Sequence, residues 1–144
     1  MVLKVAILMD HISTVDVNGD STFLLALEGQ RRNHELYHFE PRNLYAKNSS
    51  AFAIVQKLVV KKTPGTHFTL GPKKSTLLSK FDVILMRQDP PFDMAYITAT
   101  HILELVNHST VVVNNPAEVR NAPEKLFMLQ YPDLIPPTLI SNDI

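Results

Sequence analysis

Four consecutive apolar residues, Val83-Ile84-Leu85-Met86, run directly into Arg87-Gln88-Asp89-Pro90-Pro91-Phe92-Asp93. A short apolar run without alternation is the pattern of a strand buried on both faces, as in a parallel sheet covered by helices. The charged stretch begins where such a strand ends. In open α/β sheets, ligands bind outside the carboxyl ends of the strands. An arginine at that place presents a planar fork of donors suited to a carboxylate or a phosphate. The paired prolines fix φ and remove two N–H donors, which stiffens the loop.

The rest of the chain fits the same layout. Residues 2–9 read as a first buried strand, with Asp10 and His11 at its carboxyl end. Asp20 reads as the N-cap of a helix to about residue 32. Phe23, Leu24 and Leu27 are expected to pack inward there, with Glu28, Arg31 and Arg32 facing water. Residues 35–40 read as a second strand, which makes a β-α-β opening with a right-handed crossover and a parallel pair. Residues 41–80 are rich in β-branched and aromatic side chains and are punctuated by Pro64-Gly65 and Gly71-Pro72. They predict one or two hairpin-like strands projecting from the main sheet. Lys61-Lys62 and Lys73-Lys74 read as their solvated ends.

Alternation then resumes. A strand over residues 81–86 precedes a helix capped by Asp93 and running to about Asn107, with Ala95, Ala99, Ile102 and Val106 on one stripe and Leu103 beside it. Residues 110–113 predict a further strand. Asn115-Pro116-Ala117-Glu118 supplies a cap, a proline at the first helical position and an acid at the third. Asn121-Ala122-Pro123-Glu124 repeats that order and predicts a helix to about Gln130. Residues 131–144 read as a connector, in which Thr138-Leu139-Ile140 is a strand in need of a partner. No helix closes the domain, so the chain reads as part of a truncated or split larger protein.

Composition narrows the function. At 144 residues the chain is one domain with a sizeable core. Its 14 basic and 14 acidic residues balance and form no long run of one sign, which disfavours nucleic acid as the main partner. Cysteine is absent, which excludes disulfides, thiolate catalysis and cysteine-ligated zinc. That absence fits a cytoplasmic setting. The apolar start runs into Asp10 and His11 without a cleavage site, and no apolar stretch approaches the ~20 residues of a membrane span. No G-x-G-x-x-G follows the first strand and no G-x-x-x-x-G-K occurs, so neither a dinucleotide-binding loop nor a P-loop is present.

Among candidate site residues Arg87 comes first; its plainer reading is a surface arginine capping a strand and paired with Asp89. Asp89 is read as orienting Arg87, and Asp93 as a helix cap. Asp10 and His11 fall on the same sheet edge as Arg87 if the strands are parallel. Ser21 and Thr22, at a helix start, offer hydroxyl and backbone donors to an anion or serve simply as caps. Lys125 falls in the first turn of a helix, where a cation is poorly placed, which hints at service to something outside it. The six histidines, His11, His34, His38, His67, His101 and His108, show no metal-ligand spacing.

Four segments, taken together, resemble a known family. Ile84 to Asp93 is similar to the strand and loop of bacterial glutathione synthetase. Val5 to Asp10, followed by Asp20-Ser21-Thr22-Phe23, resembles that family's amino end. Glu28 to Leu36 resembles its first helix and second strand, and Val113-Asn114-Asn115-Pro116 with Arg120 to Leu126 its approach to the ATP-grasp region. The resemblance covers nearly the whole chain and is weakest over residues 46–80.

The resemblance implies a three-layer, Rossmann-like pre-ATP-grasp domain, α/β with a mainly parallel sheet and a projecting hairpin region. It implies a domain over residues 1–122 and the start of the ATP-grasp region over 123–144. The family joins γ-glutamylcysteine to glycine with ATP and magnesium through an acyl phosphate. Arg87, Ser21 and Asp89 would then be substrate-side residues, and Lys125 an ATP-phosphate contact. The family's second lysine, glycine-rich loop and magnesium ligands lie beyond residue 144, so the chain alone is expected to lack ligase activity and to bind no magnesium. Homo-oligomers are expected, and a membrane or nucleic-acid partner is not. Two other classes stay open: a non-catalytic assembly module and a small-molecule binder built on the Arg87 loop.

Overall fold

The computed structural model describes residues 1–106, 109–141 and 143. The parallel half of its sheet is built first. Strand β1 (Lys4–Leu8) leads through helix α1 (Ser21–Arg31) to β2 (Glu35–Phe39), which pairs with β1 in parallel. Strand β7 (Val83–Met86) lies along the other edge of β1, and β8 (Val111–Val113) continues the parallel set outside β7. After Lys4 every residue of β1 is buried, as a strand covered on both faces requires.

The hairpin region is present and enters deeply into the sheet. Strand β3 (Leu44–Lys47) turns into the eleven-residue β4 (Ser50–Val60) through Asn48 and Ser49, whose φ values of 49° and 56° are both left-handed. Two left-handed residues in a two-residue loop match the right-handed twist of the flanking strands, and asparagine tolerates that conformation. Strand β4 then pairs antiparallel with β2. Its opposite edge carries β5 (Phe68–Leu70) and β6 (Lys74–Leu77). Four strands therefore stand where one or two were expected, and β4 is joined to the main sheet through β2.

Two apolar layers flank the sheet. On one face Val5, Ile7, Phe23, Ala26, Leu36, Leu58 and Val60 pack beneath α1. On the other Ala6, Leu8, Phe39, Ala53, Val55, Ile84 and Met86 pack beneath α2 (Met94–Glu104) with its Ala99 and Leu103. Gln30 fastens α1 to the end of β4: its amide donates to the Val60 carbonyl at 2.7 Å and accepts from the Val60 N–H at 2.8 Å.

Several local expectations are corrected. Leu24 is 49% exposed; the inward face of α1 is Thr22, Phe23 and Ala26, with Leu27 half-buried, because Leu24 lies about 100° round the helix from Phe23. Ala95 is exposed, and the inner stripe of α2 is Tyr96, Ala99, Thr100 and Leu103, with Ile102 and Val106 against its rim. That helix stops at Glu104; Asn107, its expected end, and His108 lie outside the described residues. Helix α3 (Pro116–Asn121) is capped by Asn115 as expected, but it runs through Asn121 and so denies that residue a capping role. Pro123 stands ahead of α4 (Glu124–Phe127), a single turn continued by a 3₁₀ turn over Met128–Gln130. Thr138-Leu139-Ile140 forms no strand.

Candidate functional site

The ladder between β1 and β7 extends one residue past β7, because the Arg87 N–H donates to the Leu8 carbonyl at 2.8 Å. The Arg87 side chain therefore leaves the sheet at its carboxyl edge, above the start of α1. Asp20 caps α1 by accepting from the Phe23 N–H at 2.7 Å, which holds Ser21 and Thr22 in the first helical turn. Arg87 Nε donates to Thr22 Oγ1 at 3.0 Å and Nη2 donates to Ser21 Oγ at 2.8 Å. A guanidinium is thus pinned beside the positive end of an eleven-residue helix. Those two positive features favour a shared anion.

Arg87, Thr22, Met9, Asp10, Asp16 and Asp89 help line a cleft of about 310 Å³ at this edge. Asp16 and Asp20 are occupied locally, Asp16 by the Asn18 N–H and Asp20 by its cap. Neither Asp10 nor Asp89 makes a side-chain hydrogen bond or ion pair among the described residues. Asp89 does not orient Arg87, since no carboxylate lies within 4 Å of the guanidinium and the two hydroxyls hold it instead. The cleft joins one fixed cation with two unoccupied carboxylates, a charge pattern that suits a zwitterion.

Lys125 stands elsewhere. It lines a second cleft, of about 560 Å³, with Gln88, Pro90, Phe92, Tyr96 and Leu126. The loop after β7 separates the two clefts: Asp89 lines one, and Gln88, Pro90 and Phe92 line the other. The Pro90–Pro91 bond in this loop is cis. Burial raises the Tyr96 hydroxyl above its ordinary value, with nearby Arg87 opposing and Asp89 reinforcing the shift. Helix α4 has only four residues, too few for a macrodipole argument about Lys125.

Two histidines that spacing did not single out support the cleft floor. His38 Nε2 lies 3.2 Å from the Asp10 carbonyl, and His67 Nε2 lies 2.9 Å from the Ile12 carbonyl. Burial holds the His38 imidazole below its usual pKa. His11 turns from the cleft, bonds Ser13 and sets its ring edgewise to His38 at 5.7 Å. The available signal for His38 was a polar residue between the apolar Leu36 and Phe39 of a strand; His67, just ahead of β5, carried none.

Residues 3–120 match the family model described as prokaryotic glutathione synthetase, N-terminal domain. The chain belongs to the prokaryotic glutathione synthetase family. It is 54% identical over 144 residues to the glutathione synthetase of Bradyrhizobium diazoefficiens, covering all of this chain and 46% of that relative. Against the glutathione synthetase of Mesorhizobium japonicum it is 52% identical over 143 residues, 99% of this chain and 46% of the relative. The Yersinia pestis glutathione synthetase is 41% identical over 141 residues, 97% of this chain and 44% of the relative. The chain therefore corresponds to the N-terminal part of a glutathione synthetase and spans less than half the length of these relatives. Among the described residues no helix is long and apolar enough to cross a membrane.

Proposed function

We propose that this chain is the substrate-side part of a cytoplasmic, ATP-dependent carbon–nitrogen ligase that joins γ-glutamylcysteine to glycine. The observation that carries the reading is the Arg87 cleft, a fixed guanidinium facing uncommitted carboxylates, in a chain of this family. Arg87 takes a substrate carboxylate, Asp10 and Asp89 hold the substrate ammonium, and Ser21 and Thr22 fix the guanidinium. Holding the peptide in one orientation converts part of the association entropy into rate acceleration. ATP would supply activation of the substrate carboxylate as an acyl phosphate. Lys125 offers an ammonium to the nucleotide phosphates from the second cleft.

Among the described residues no three His, Asp or Glu side chains form a metal-holding group. In this reading the magnesium ligands belong to the remainder of the full-length enzyme. In this reading residues 1–122 bind substrate, residues 123–144 lead into the nucleotide-binding part, and copies of the enzyme associate as a homo-oligomer.

Calorimetry with γ-glutamylcysteine tests the reading. Arg87→Ala should weaken binding by about 1.5 kcal/mol or more, the scale of a hydrogen bond to a charged group. Equal affinity of wild type and variant would remove Arg87 from the site. Mixing the chain with a separately produced remainder of the Bradyrhizobium relative should give ADP release that requires both γ-glutamylcysteine and glycine. A mixture that binds the peptide yet releases no ADP would count against the ligase role.

A further inference from the structure

Away from the Arg87 edge, the sheet has an open face. Pairing places Lys4 beside Glu35, Ala6 beside Tyr37, Tyr37 beside Lys57 and Val55 beside Lys74. Paired residues share a face, so Lys4, Tyr37, Val55, Lys57 and Lys74 all point to the side that α2 covers further along. Helix α2 packs over Ala53 and Leu8 and leaves this end uncovered: Lys57 is exposed while Val55, two residues earlier, is buried. The result is a cleft of about 700 Å³ floored by Tyr37, Val55 and Phe81 and walled by Lys4, Lys57, Lys74 and Lys80.

The charge of the lining is basic. No Asp or Glu lines this cleft. Among the described residues, none of the four ammonium groups has a carboxylate within 4 Å. Two acids stand close by, Glu35 on the same face as Lys4 and accepting from the Tyr37 hydroxyl at 2.9 Å, and Asp82, which accepts from the Lys4 N–H at 2.7 Å, so the four lysines outnumber them two to one. Gathering four cations in a chain of balanced charge costs electrostatic free energy, which a bound polyanion would reverse. The floor adds an apolar contact: Tyr37, half-buried and held edge to face against the buried Phe81 with centroids 5.1 Å apart, offers part of one aromatic ring to a flat group.

We propose that this cleft is a second ligand site, for a small molecule carrying two or more phosphate or carboxylate groups on a flat apolar body. Lysines suit phosphate as point charges that need no fixed fork. The site faces away from the Arg87 loop and does not depend on the function proposed above.

ADP is the test probe, with pyrophosphate supplying charge alone and adenosine the flat body alone. Amide shifts of the labelled chain are followed by NMR during each titration. ADP should saturate shifts at residues 4, 57, 74 and 80, pyrophosphate should bind more weakly, and adenosine weakest. The double variant Lys57→Glu/Lys74→Glu should weaken ADP by about tenfold or more, while Lys61→Glu/Lys62→Glu, equally exposed but outside the cleft, should not. Lys57→Gln/Lys74→Gln gives the same comparison should charge reversal unfold the chain. About 0.5 M salt should weaken ADP binding markedly, because the Debye length shrinks to a few ångströms. The proposal fails if ADP does not saturate at millimolar concentration, if both double variants weaken it equally, if shifts appear only near Arg87 or Lys125, or if these amides are shielded by self-association instead.

Discussion

Along β1, neighbouring residues are buried on opposite faces, so Ile7 and Leu8 are both fully enclosed. Along the far part of β4, burial alternates: Leu58 is buried and Val59 is 52% exposed. Both strands belong to one sheet, yet only the first is sandwiched between helices. Within β4 the covered face also changes. Ala51, Ala53 and Val55 pack beneath α2, and Leu58 and Val60 pack beneath α1. A strand of eleven residues outruns either helix, so each helix covers one end of it.

This contrast is sharpest in core truncations. Ile7→Ala and Leu8→Ala should each cost about 3 kcal/mol, since both remove buried atoms and leave cavities. Leu58→Ala should cost a similar amount, while Val59→Ala should stay within about 0.5 kcal/mol. Urea unfolding of the four variants measures this directly. A Val59 variant as damaged as the Leu58 variant would mean that the far end of β4 is covered on both faces.

Helix caps test whether the two covering layers depend on their own ends. Asp20 accepts from Phe23 at 2.7 Å and Asp93 accepts from Tyr96 at 2.9 Å. Replacing either by alanine should cost about 1 kcal/mol. Only Asp20→Ala should also weaken γ-glutamylcysteine binding, because it loosens the turn that carries Ser21 and Thr22. Matching losses of affinity in both variants would detach the Arg87 cleft from the α1 end.

His38 distinguishes the halves by pH. Its folded pKa is depressed by burial, so the unfolded chain takes up the proton more readily. Its contribution is fully present above the ordinary value of about 6.5 and is lost as pH falls below it toward the folded pKa. Wild type should therefore lose stability between pH 7 and pH 5 more steeply than His38→Gln. Parallel profiles would show that the proton is accommodated without disturbing the loop at Asp10.

What was legible in the sequence was local. Val83 to Met86 lacks alternation because each of its residues is buried or half-buried, and that marks a parallel strand directly. Asp20, Asp93 and Asn115 announce helix starts because their side chains reach N–H groups only two or three residues on. Arg87 was legible for the same reason, as a charge at the end of an apolar run. The rest depended on distant partners. Leu24 was misplaced because nothing in α1 alone says which side of the helix the sheet occupies. The middle strands were undercounted because the turn at Asn48-Ser49 carries no glycine or proline. His38 and His67 gained their roles from carbonyls 28 and 55 residues away, which no spacing rule reaches.

The smallest effect belongs to the outer surface of α1. Arg31 and Arg32 both donate to the Glu28 carboxylate at 2.7 Å, and these bonds hold its pKa down to about 2 from an ordinary 4.5. A depressed acid contributes stability above its unfolded pKa and loses it as pH falls through the folded one, so this contribution fades between about pH 4.5 and pH 2. The cluster lies in water, where ion pairs on a helix surface are weak and screened. Glu28→Gln should therefore flatten the acid limb of the stability profile slightly at low salt and not detectably at about 1 M salt. The Arg120–Glu104 bond of 2.8 Å, which ties α3 to α2, is the internal reference, because Arg120 is mostly enclosed there. Arg120 also depresses the pKa of Glu104, and its bond to Thr100 at 2.8 Å lies within the packed stripe of α2. An acid limb that responds more to Glu28→Gln than to Glu104→Gln would mean that this partly shielded latch between helices matters less than a solvated pair on one helix, and would reverse the ranking drawn from burial.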